Sequence, residues 1–166
     1  MNVLTKQRGN SGFTIIEVVL VLAIAGLIFL MVFIALPALQ RNQRDTQRKN
    51  DMGRLSTAIV NYTNSNRGSL PTNYSNFTTQ YLTTGGDDFL DPAGAKAGSD
   101  SNVTTYQFTA HDNSELTSDY KESQNTIYYT AGYTCGDTSS TVTPAGSRKV
   151  AFRMALEGGG YNCVNN

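Results

Sequence analysis

Residues 13–39 read FTIIEVVLVLAIAGLIFLMVFIALPAL, an apolar run whose only polar side chains are Thr14 and Glu17. No charged residue interrupts Val18–Leu36. A helix rises about 1.5 Å per residue, so about 20 such residues cross a hydrocarbon core about 30 Å thick. Apolar side chains lie on every side of this helix, which favours lipid as its surroundings. The run therefore predicts a transmembrane helix over residues 13–39.

A buried core helix and a cleaved signal peptide both fit this run less well than a membrane span does. A buried helix of a larger soluble protein would need an apolar partner, and the remaining chain is too polar to supply one. A cleaved signal peptide has an apolar region of only about 7–15 residues. Lys6 and Arg8 would provide its charged start, but residues 35–38 are a weak cleavage site. We therefore expect the segment to remain in the mature protein.

The charges that follow the apolar run are locally concentrated. The whole chain has 13 basic and 13 acidic residues, so no global positive field favours nucleic acid. Residues 40–54 read QRNQRDTQRKNDMGR and contain five of the basic residues. This run could contact anionic headgroups or DNA. A solvated helix face, or salt bridges between subunits, is the interpretation we favour.

Helical periodicity continues beyond the charged run. Four apolar residues recur at helical spacing, namely Met52, Leu55, Ile59 and Tyr62. We predict one nearly continuous helix from about residue 13 to about residue 65, which Arg67, Gly68 and Pro71 would end. Its second half is amphipathic and should carry a small domain on one face.

The remaining residues predict a small sheet. Residues 70–101 are rich in Gly, Asn, Thr and Asp and are expected to form a long loop. Three segments alternate or are rich in β-formers, namely Val103–Thr109, Thr126–Tyr133 and Lys149–Glu157. A long helix followed by antiparallel strands, with one sheet face covered by the helix, is an α+β arrangement.

Glu17 is the anomaly of the apolar run, because an ionisable group there costs about 2.5–3.5 kcal/mol and usually marks function. If the chain were cut between Gly12 and Phe13, the new α-ammonium could neutralise Glu17 within the chain or from a neighbouring chain. A carboxylate near a helix start also suits the helix dipole. The alternative is an interfacial glutamate that reaches the headgroups or is protonated.

The sequence GFTIIE at residues 12–17, after a short basic leader and before a long apolar run, resembles the N-terminus of type IV prepilins. The resemblance implies cleavage after Gly12 by a prepilin peptidase and N-methylation of Phe13. It also implies that Glu17 takes part in methylation and pairs with a neighbour's N-terminus during assembly. A pilin-like α+β fold follows, with a leader (1–12), a membrane or filament-core helix (13–39), an amphipathic continuation (40–66) and a β-sheet head (67–166).

The distribution of basic residues and the family resemblance predict opposite membrane topologies. More basic residues follow the span than precede it, which by itself predicts a cytoplasmic head. The resemblance implies the opposite, a cytoplasmic leader and an external head, and we follow it.

Gly26 and Pro37 weaken the helix. In the family such residues accompany a stretch that loses helicity in the filament, and a simple kink is the alternative.

The head contains few residues that could carry chemistry. Cys135 and Cys163 are the only cysteines, and a disulfide between them would fit an exported domain and the family's C-terminal disulfide region. Two reduced thiols are the alternative in a reducing compartment. Asp87, Asp88 and Asp91 could bind Ca²⁺, although turn or cap roles are the favoured interpretation. His111, the sole histidine, is expected in a solvated loop.

These features predict a structural subunit rather than an enzyme, with no catalytic residues, no metal site and no required cofactor. The resemblance implies a single-pass membrane protein that later joins a surface filament of a prokaryotic cell. Its partners would be copies of itself, minor pilins, prepilin peptidase, a platform protein and an ATPase. One alternative is a minor pilin or pseudopilin of a type II secretion or DNA-uptake system. The other is a permanently membrane-anchored binding domain or enzyme.

Overall fold

The computed structural model describes residues 12–84, 88–93, 105–117 and 125–166. The chain divides into two compact units, Met1–Leu39 and Gln40–Asn166. One helix, α1 (Ile15–Ser65), contributes residues to both units. The predicted long helix is thus confirmed, with bounds within two residues of those expected.

The described residues of the first unit are residues 12–14 and the apolar part of α1. Gly26 and Pro37 both lie inside the helix, which continues through them. The most apolar window of 18 residues has a mean hydropathy of 3.2, and none of it is buried within the chain. By length and composition, α1 is the one helix in the described part of the chain that could cross a membrane. The loss of helicity around Gly26 and Pro37 was expected only in a filament and stays a prediction.

The second unit has its core between α1 and a sheet. Met52, Leu55 and Ile59 of the predicted apolar stripe are fully buried, and Tyr62 packs against the core at its edge. Phe152 and Met154 come from the sheet side of the same core. The helix therefore covers one sheet face, as the periodicity of residues 52–62 predicted.

A short second helix, α2 (Tyr74–Tyr81), lies within the segment that we expected to be a loop, so that expectation is wrong for these residues. Asn73 caps the helix, because its side-chain oxygen accepts a hydrogen bond from the amide of Asn76 at 3.0 Å. Tyr74 and Phe77, three residues apart, are buried against the core. The sequence did not predict this helix, because the helix propensity of the threonine-rich segment is weak. Packing against the core stabilises the helix instead.

Six strands form two sheets. They are β1 (Gln107–Ala110), β2 (Thr126–Ala131), β3 (Tyr133–Cys135), β4 (Val142–Pro144), β5 (Val150–Ala155) and β6 (Tyr161–Asn165). The larger sheet has the order β1-β2-β5-β6, and the smaller one pairs β3 with β4. The β2–β5 and β5–β6 pairs are antiparallel, whereas β1 and β2 are parallel. The sheet is therefore mixed, and the purely antiparallel prediction is wrong for β1.

Three strand predictions need correction. The first strand begins at Gln107 rather than residue 103, and residues 103–104 lie outside the described ranges. The predicted strand at 126–133 divides at Gly132, whose φ of 84° suits glycine and turns the chain from one sheet into the other. The predicted strand at 149–157 is β5, shortened to 150–155. Strands β4 and β6 were not predicted.

Strand β5 is buried on both faces, since all six of its residues are buried. On the face away from α1, the side chain of Arg153 donates hydrogen bonds to the carbonyl oxygens of Ser114 and Ser140 at 2.8 and 2.7 Å. The segments that carry these two carbonyl groups therefore cover the outer face of the sheet.

A disulfide connects the two sheets. Cys135 of β3 and Cys163 of β6 are bonded, with their Cα atoms 5.9 Å apart. The bond closes a loop with a sequence separation of 28 residues. By chain-entropy estimates, such a closure stabilises the folded state by about 3–4 kcal/mol.

The C-terminal end of α1 has an unusual cap. The amide of Gly68 donates to the carbonyl oxygen of Thr63 at 2.7 Å, the bond of a Schellman motif. The residue before it, Arg67, has a φ of 57° and is the one non-glycine residue with a positive φ in the described ranges. Glycine is the usual residue at this left-handed position.

We expect opposite effects from substitutions at these two neighbours. Arg67→Gly should raise the free energy of unfolding by about 0.5–1 kcal/mol, because it removes left-handed strain at some entropic cost. Gly68→Ala should lower it by more than about 1 kcal/mol. Its φ is 83°, and a Cβ atom would lie 2.9 Å from Cδ of Arg148. Thermal unfolding of the detergent-solubilised full chain measures the effect of both substitutions. A lower unfolding temperature for Arg67→Gly than for the wild type would contradict backbone strain at Arg67.

Candidate functional site

The peptide bond between Gly12 and Phe13 lies before the first helical residue, Ile15. Phe13 is 90% exposed, and a Cβ atom built on Gly12 would meet nothing within 4 Å. A peptidase must accommodate its substrate in an accessible, non-helical conformation. The predicted cleavage point is located in such a backbone.

Thr14 and Glu17 form a reciprocal pair at the start of α1. The amide and the hydroxyl of Thr14 donate to Oε2 of Glu17 at 2.9 and 2.7 Å, and the amide of Glu17 donates to the Thr14 hydroxyl at 3.4 Å. This is a capping box, in which each side chain satisfies an amide that the helix leaves unpaired. The sequence reasoning missed the role of Thr14, although the spacing T-x-x-E signals it.

The basic run at residues 40–54 is folded into an ion network. The guanidinium of Arg48 is fully buried and donates to Asp91 at 2.8 and 3.2 Å and to Asp45 at 3.1 Å. A third carboxylate, that of Glu157, lies 3.4 Å from it. The interpretation of this run as a solvated face is therefore wrong for Arg48, which cannot reach headgroups or DNA without unfolding.

Neighbouring residues extend the network across the head. Arg44 holds both carboxylate oxygens of Glu157, at 2.7 and 2.5 Å. The hydrogen bond from Arg44 lowers the pKa of Glu157, and the same bond raises the pKa of Arg44. The carboxylate of Asp45 accepts the amides of Glu157 and Gly158 at 2.8 and 2.7 Å. Helix α1 is thus joined to the turn between β5 and β6.

A second acidic group is buried one turn further along α1. The hydroxyl of Tyr106 donates to Asp51 at 2.9 Å, and Arg54 lies 3.2 Å from the other carboxylate oxygen. Burial raises the pKa of Asp51, and these two hydrogen bonds partly oppose the shift. Burial and the charge of Asp51 also raise the pKa of Tyr106. These groups position the segment at residues 88–93 against the helix, because Arg54 also donates to the carbonyl of Asp88.

The structure gives Asp91 a partner within the chain. Both of its carboxylate oxygens bind Arg48, and Oδ1 also accepts the amide of Ala93 at 2.8 Å. A calcium ion at Asp91 would have to compete with this guanidinium. Asp87 lies outside the described residues, and those described include no group of three His, Cys, Asp or Glu side chains arranged to hold a metal.

His111 is placed differently from our expectation of a solvated residue. Its side chain is only 8% exposed. Nη2 of Arg153 lies 3.1 Å from its Nδ1, and the ring packs edge-on against Tyr128. The long buried arginine of β5 needs acceptors in the covering segment, and His111 is one of them.

The comparison with known protein families concerns the N-terminus. Residues 7–33 match the family described as the prokaryotic N-terminal methylation motif. The chain carries that motif. The match is consistent with the resemblance to type IV pilins, and it indicates a precursor of the type IV pilin or pseudopilin kind that prepilin peptidase processes. No curated protein and no solved structure matches the chain.

The methylation motif contains the whole capping box and the first 21 of the 27 residues of the apolar run. Together, the motif and the apolar helix fit a membrane-anchored precursor. The head lies outside the matched residues.

The buried guanidinium of Arg48 generates a stability prediction. Arg48→Met should lower the free energy of unfolding by about 3–5 kcal/mol, because it leaves buried carboxylates without a countercharge. Adding Asp91→Asn should recover part of this loss, since one of those charges is then removed. Denaturant unfolding of the detergent-solubilised full chain, followed by circular dichroism, measures the change.

The matched control is Lys49→Met, which removes the adjacent but exposed cation. We expect it to change the free energy of unfolding by no more than about 0.5 kcal/mol. Equal denaturant midpoints for Arg48→Met and the wild type would contradict the structural role of the network.

Proposed function

We propose that this chain is a structural subunit of a type IV pilus-like filament. The single observation that carries the proposal is the methylation motif placed on an apolar helix whose most apolar window is not buried by any of the described residues. Residues 15–36 expose large apolar side chains, including Ile16 at 74% and Phe33 at 75%. Such a surface needs lipid before assembly and the helices of other subunits afterwards.

Processing would begin at the accessible bond after Gly12. Hydrolysis by prepilin peptidase adds water across this bond and releases the leader, so that Phe13 acquires a free α-amino group. A methyl donor then transfers its methyl group to this amine: the bond between the methyl group and the donor breaks, the new N–C bond forms, and the amine gives up one proton. At neutral pH it is a cation next to Thr14 and four residues from the Glu17 carboxylate. Glu17 of one subunit would neutralise the N-terminus of a neighbour during assembly.

The head would face the exterior of the cell while the leader stays in the cytoplasm. The disulfide between Cys135 and Cys163 supports this orientation, because disulfides persist outside the reducing cytosol. The platform protein and ATPase of the filament machinery, and minor pilins, would be the other partners. We propose no catalytic role, cofactor or resident metal for the chain.

The proposed processing makes a direct prediction for the mature protein. Intact-mass and fragment-ion mass spectrometry of the chain from native cells should give a start at Phe13, heavier by one methyl group. Cells without prepilin peptidase are the control and should retain residues 1–12. Filaments whose subunits still begin at Met1 would contradict the proposal. A processed chain found only in short periplasmic assemblies would instead support a pseudopilin of a secretion system.

Substitution of Glu17 separates its capping role from its charge. Glutamine also serves in a capping box, so Glu17→Gln keeps the helix start but loses the negative charge. We expect both Glu17→Gln and Glu17→Ala to insert into the membrane and to fail to enter filaments. The readout is the subunit content of sheared filaments relative to the membrane fraction.

Thr14→Ala is the matched control, because it weakens the same cap by about 1 kcal/mol without changing charge. We expect it to assemble. If Glu17→Gln assembled as well as the wild type while Glu17→Ala did not, Glu17 would act as a cap and not as a charge partner. Normal assembly of Glu17→Ala would contradict both the capping role and the role as a charge partner in assembly.

A further inference from the structure

Most arginines of the head are engaged inside it. Arg44, Arg48 and Arg54 pair with carboxylates, and Arg153 donates to carbonyl oxygens beneath the outer segments. Against this pattern, three exposed cations stand out at the C-terminal end of α1. They are Arg67, Arg148 and Lys149, which we call the basic end cluster.

Contacts bring the members of the basic end cluster together. The side chain of Arg148 lies over the backbone of Gly68, with Cδ, Nε and Cζ between 2.9 and 3.2 Å from the position that a Cβ atom would take. Arg67 precedes Gly68 in the chain, and Lys149 follows Arg148. Lys149 donates to the backbone oxygen of Asn166 at 2.7 Å. Within the described ranges, no member of the cluster pairs with an aspartate or glutamate side chain.

The backbone of Arg67 is an independent sign that the side chain matters. Arg67 adopts a left-handed conformation in which glycine would be less strained. The Schellman bond of Gly68 holds the backbone of Arg67 in this conformation, and residues held in this way cluster at functional sites. Among the described residues of the head, the guanidinium of Arg67 makes no hydrogen bond and no ion pair, and its exposed side chain is accessible to another molecule.

The head also presents an exposed acidic surface, which consists of Asp112, Glu115 and Asp137. Two segments carry it, and they are joined where the amide of Leu116 donates to the carbonyl of Ser140 at 3.1 Å. The hydroxyl of Ser140 also donates to Glu115 at 2.7 Å. These segments cover the face of the sheet opposite to α1.

We propose that the basic end cluster of one subunit docks on the acidic surface of a neighbouring copy of the same chain. This inference rests on the proposed filament function. The two surfaces carry opposite charge and consist of different residues. When the basic end cluster of each subunit binds the acidic surface of the next, the contact is heterologous and leaves a free surface of each kind at the two ends of an assembly. Contacts of this type propagate into open helical filaments.

A second copy fits the cluster better than a nucleic acid does. Residues 40–166 contain 11 basic and 12 acidic residues, so the head as a whole has no net positive charge that would attract a polyanion. The acidic surface, in contrast, supplies carboxylates to every neighbour in a filament of identical subunits. Charge complementarity of this kind sets register and partner choice.

The test uses the full chain in its native cells and compares filament yield in variants. Arg148→Glu combined with Lys149→Glu should reduce sheared filaments about tenfold, because like charges then face each other across the contact. Adding Glu115→Lys and Asp137→Lys to the same chain should restore filaments, since the contact re-forms with its signs exchanged. Wild-type filaments should also dissociate more readily as salt increases.

Substitutions of Arg67 separate charge from fold. Arg67→Gly should give a chain that unfolds at a higher temperature and yet assembles less, a combination that a purely structural role cannot produce. Arg67→Lys keeps the charge and the strained backbone, and we expect it to assemble like the wild type. Thermal unfolding of detergent-solubilised protein shows that the variants are folded.

Three results would overturn the inference. The first is assembly of the Arg148→Glu, Lys149→Glu variant at the wild-type level. The second is a variant that assembles normally and loses salt-dependent binding of a DNA duplex, which would assign the cluster to nucleic acid. In both cases wild-type filaments are present, so the proposed function survives. Absence of filaments containing the wild-type chain is the third result, and it overturns the proposed function together with the contact.

Discussion

The head depends on the buried guanidinium of Arg48. Arg48 comes from the middle of α1, and its carboxylate partners come from the same helix, from residues 88–93 and from the turn between β5 and β6. Three parts of the chain that are distant in sequence therefore meet at a single guanidinium. Burying these charges is unfavourable, and the fold tolerates it only because Asp45 and Asp91 also accept backbone amides. Such a centre favours one arrangement of helix, segment and turn over alternatives that would leave a charge unpaired.

The parts of the fold that follow from local patterns could be predicted from the sequence. The apolar run and the stripe that begins at Met52 predicted the long helix, because helical periodicity is a local signal. Contacts between residues far apart in the sequence could not be predicted in the same way. Arg48 lies 109 residues from Glu157, and its position within a basic run resembled a solvated face. The parallel pairing of β1 with β2 and the burial of His111 depend equally on distant segments.

At the N-terminus, sequence and structure give complementary information. The motif that marks the chain for processing is visible in GFTIIE, whereas the hydrogen bonds between Thr14 and Glu17 appear only in the structure. One carboxylate is thus placed where it stabilises the helix start of the precursor and where it lies next to the terminus that processing would create. A residue with two uses in successive states of one protein is under two constraints, and both are visible in these six residues, since GFTIIE indicates the processing site and the T-x-x-E spacing within it indicates the cap.

The disulfide between β3 and β6 has a consequence for the response of the head to proteolysis. Secreted proteases attack exposed turns, and the segment between the two cysteines contains such turns, including the triple glycine at residues 158–160. A single cut there would open the backbone without releasing either fragment, because the cystine still connects them. β6 would keep its place beside β5 after the cut. A protease could therefore cut the head in this segment, and both fragments would remain connected.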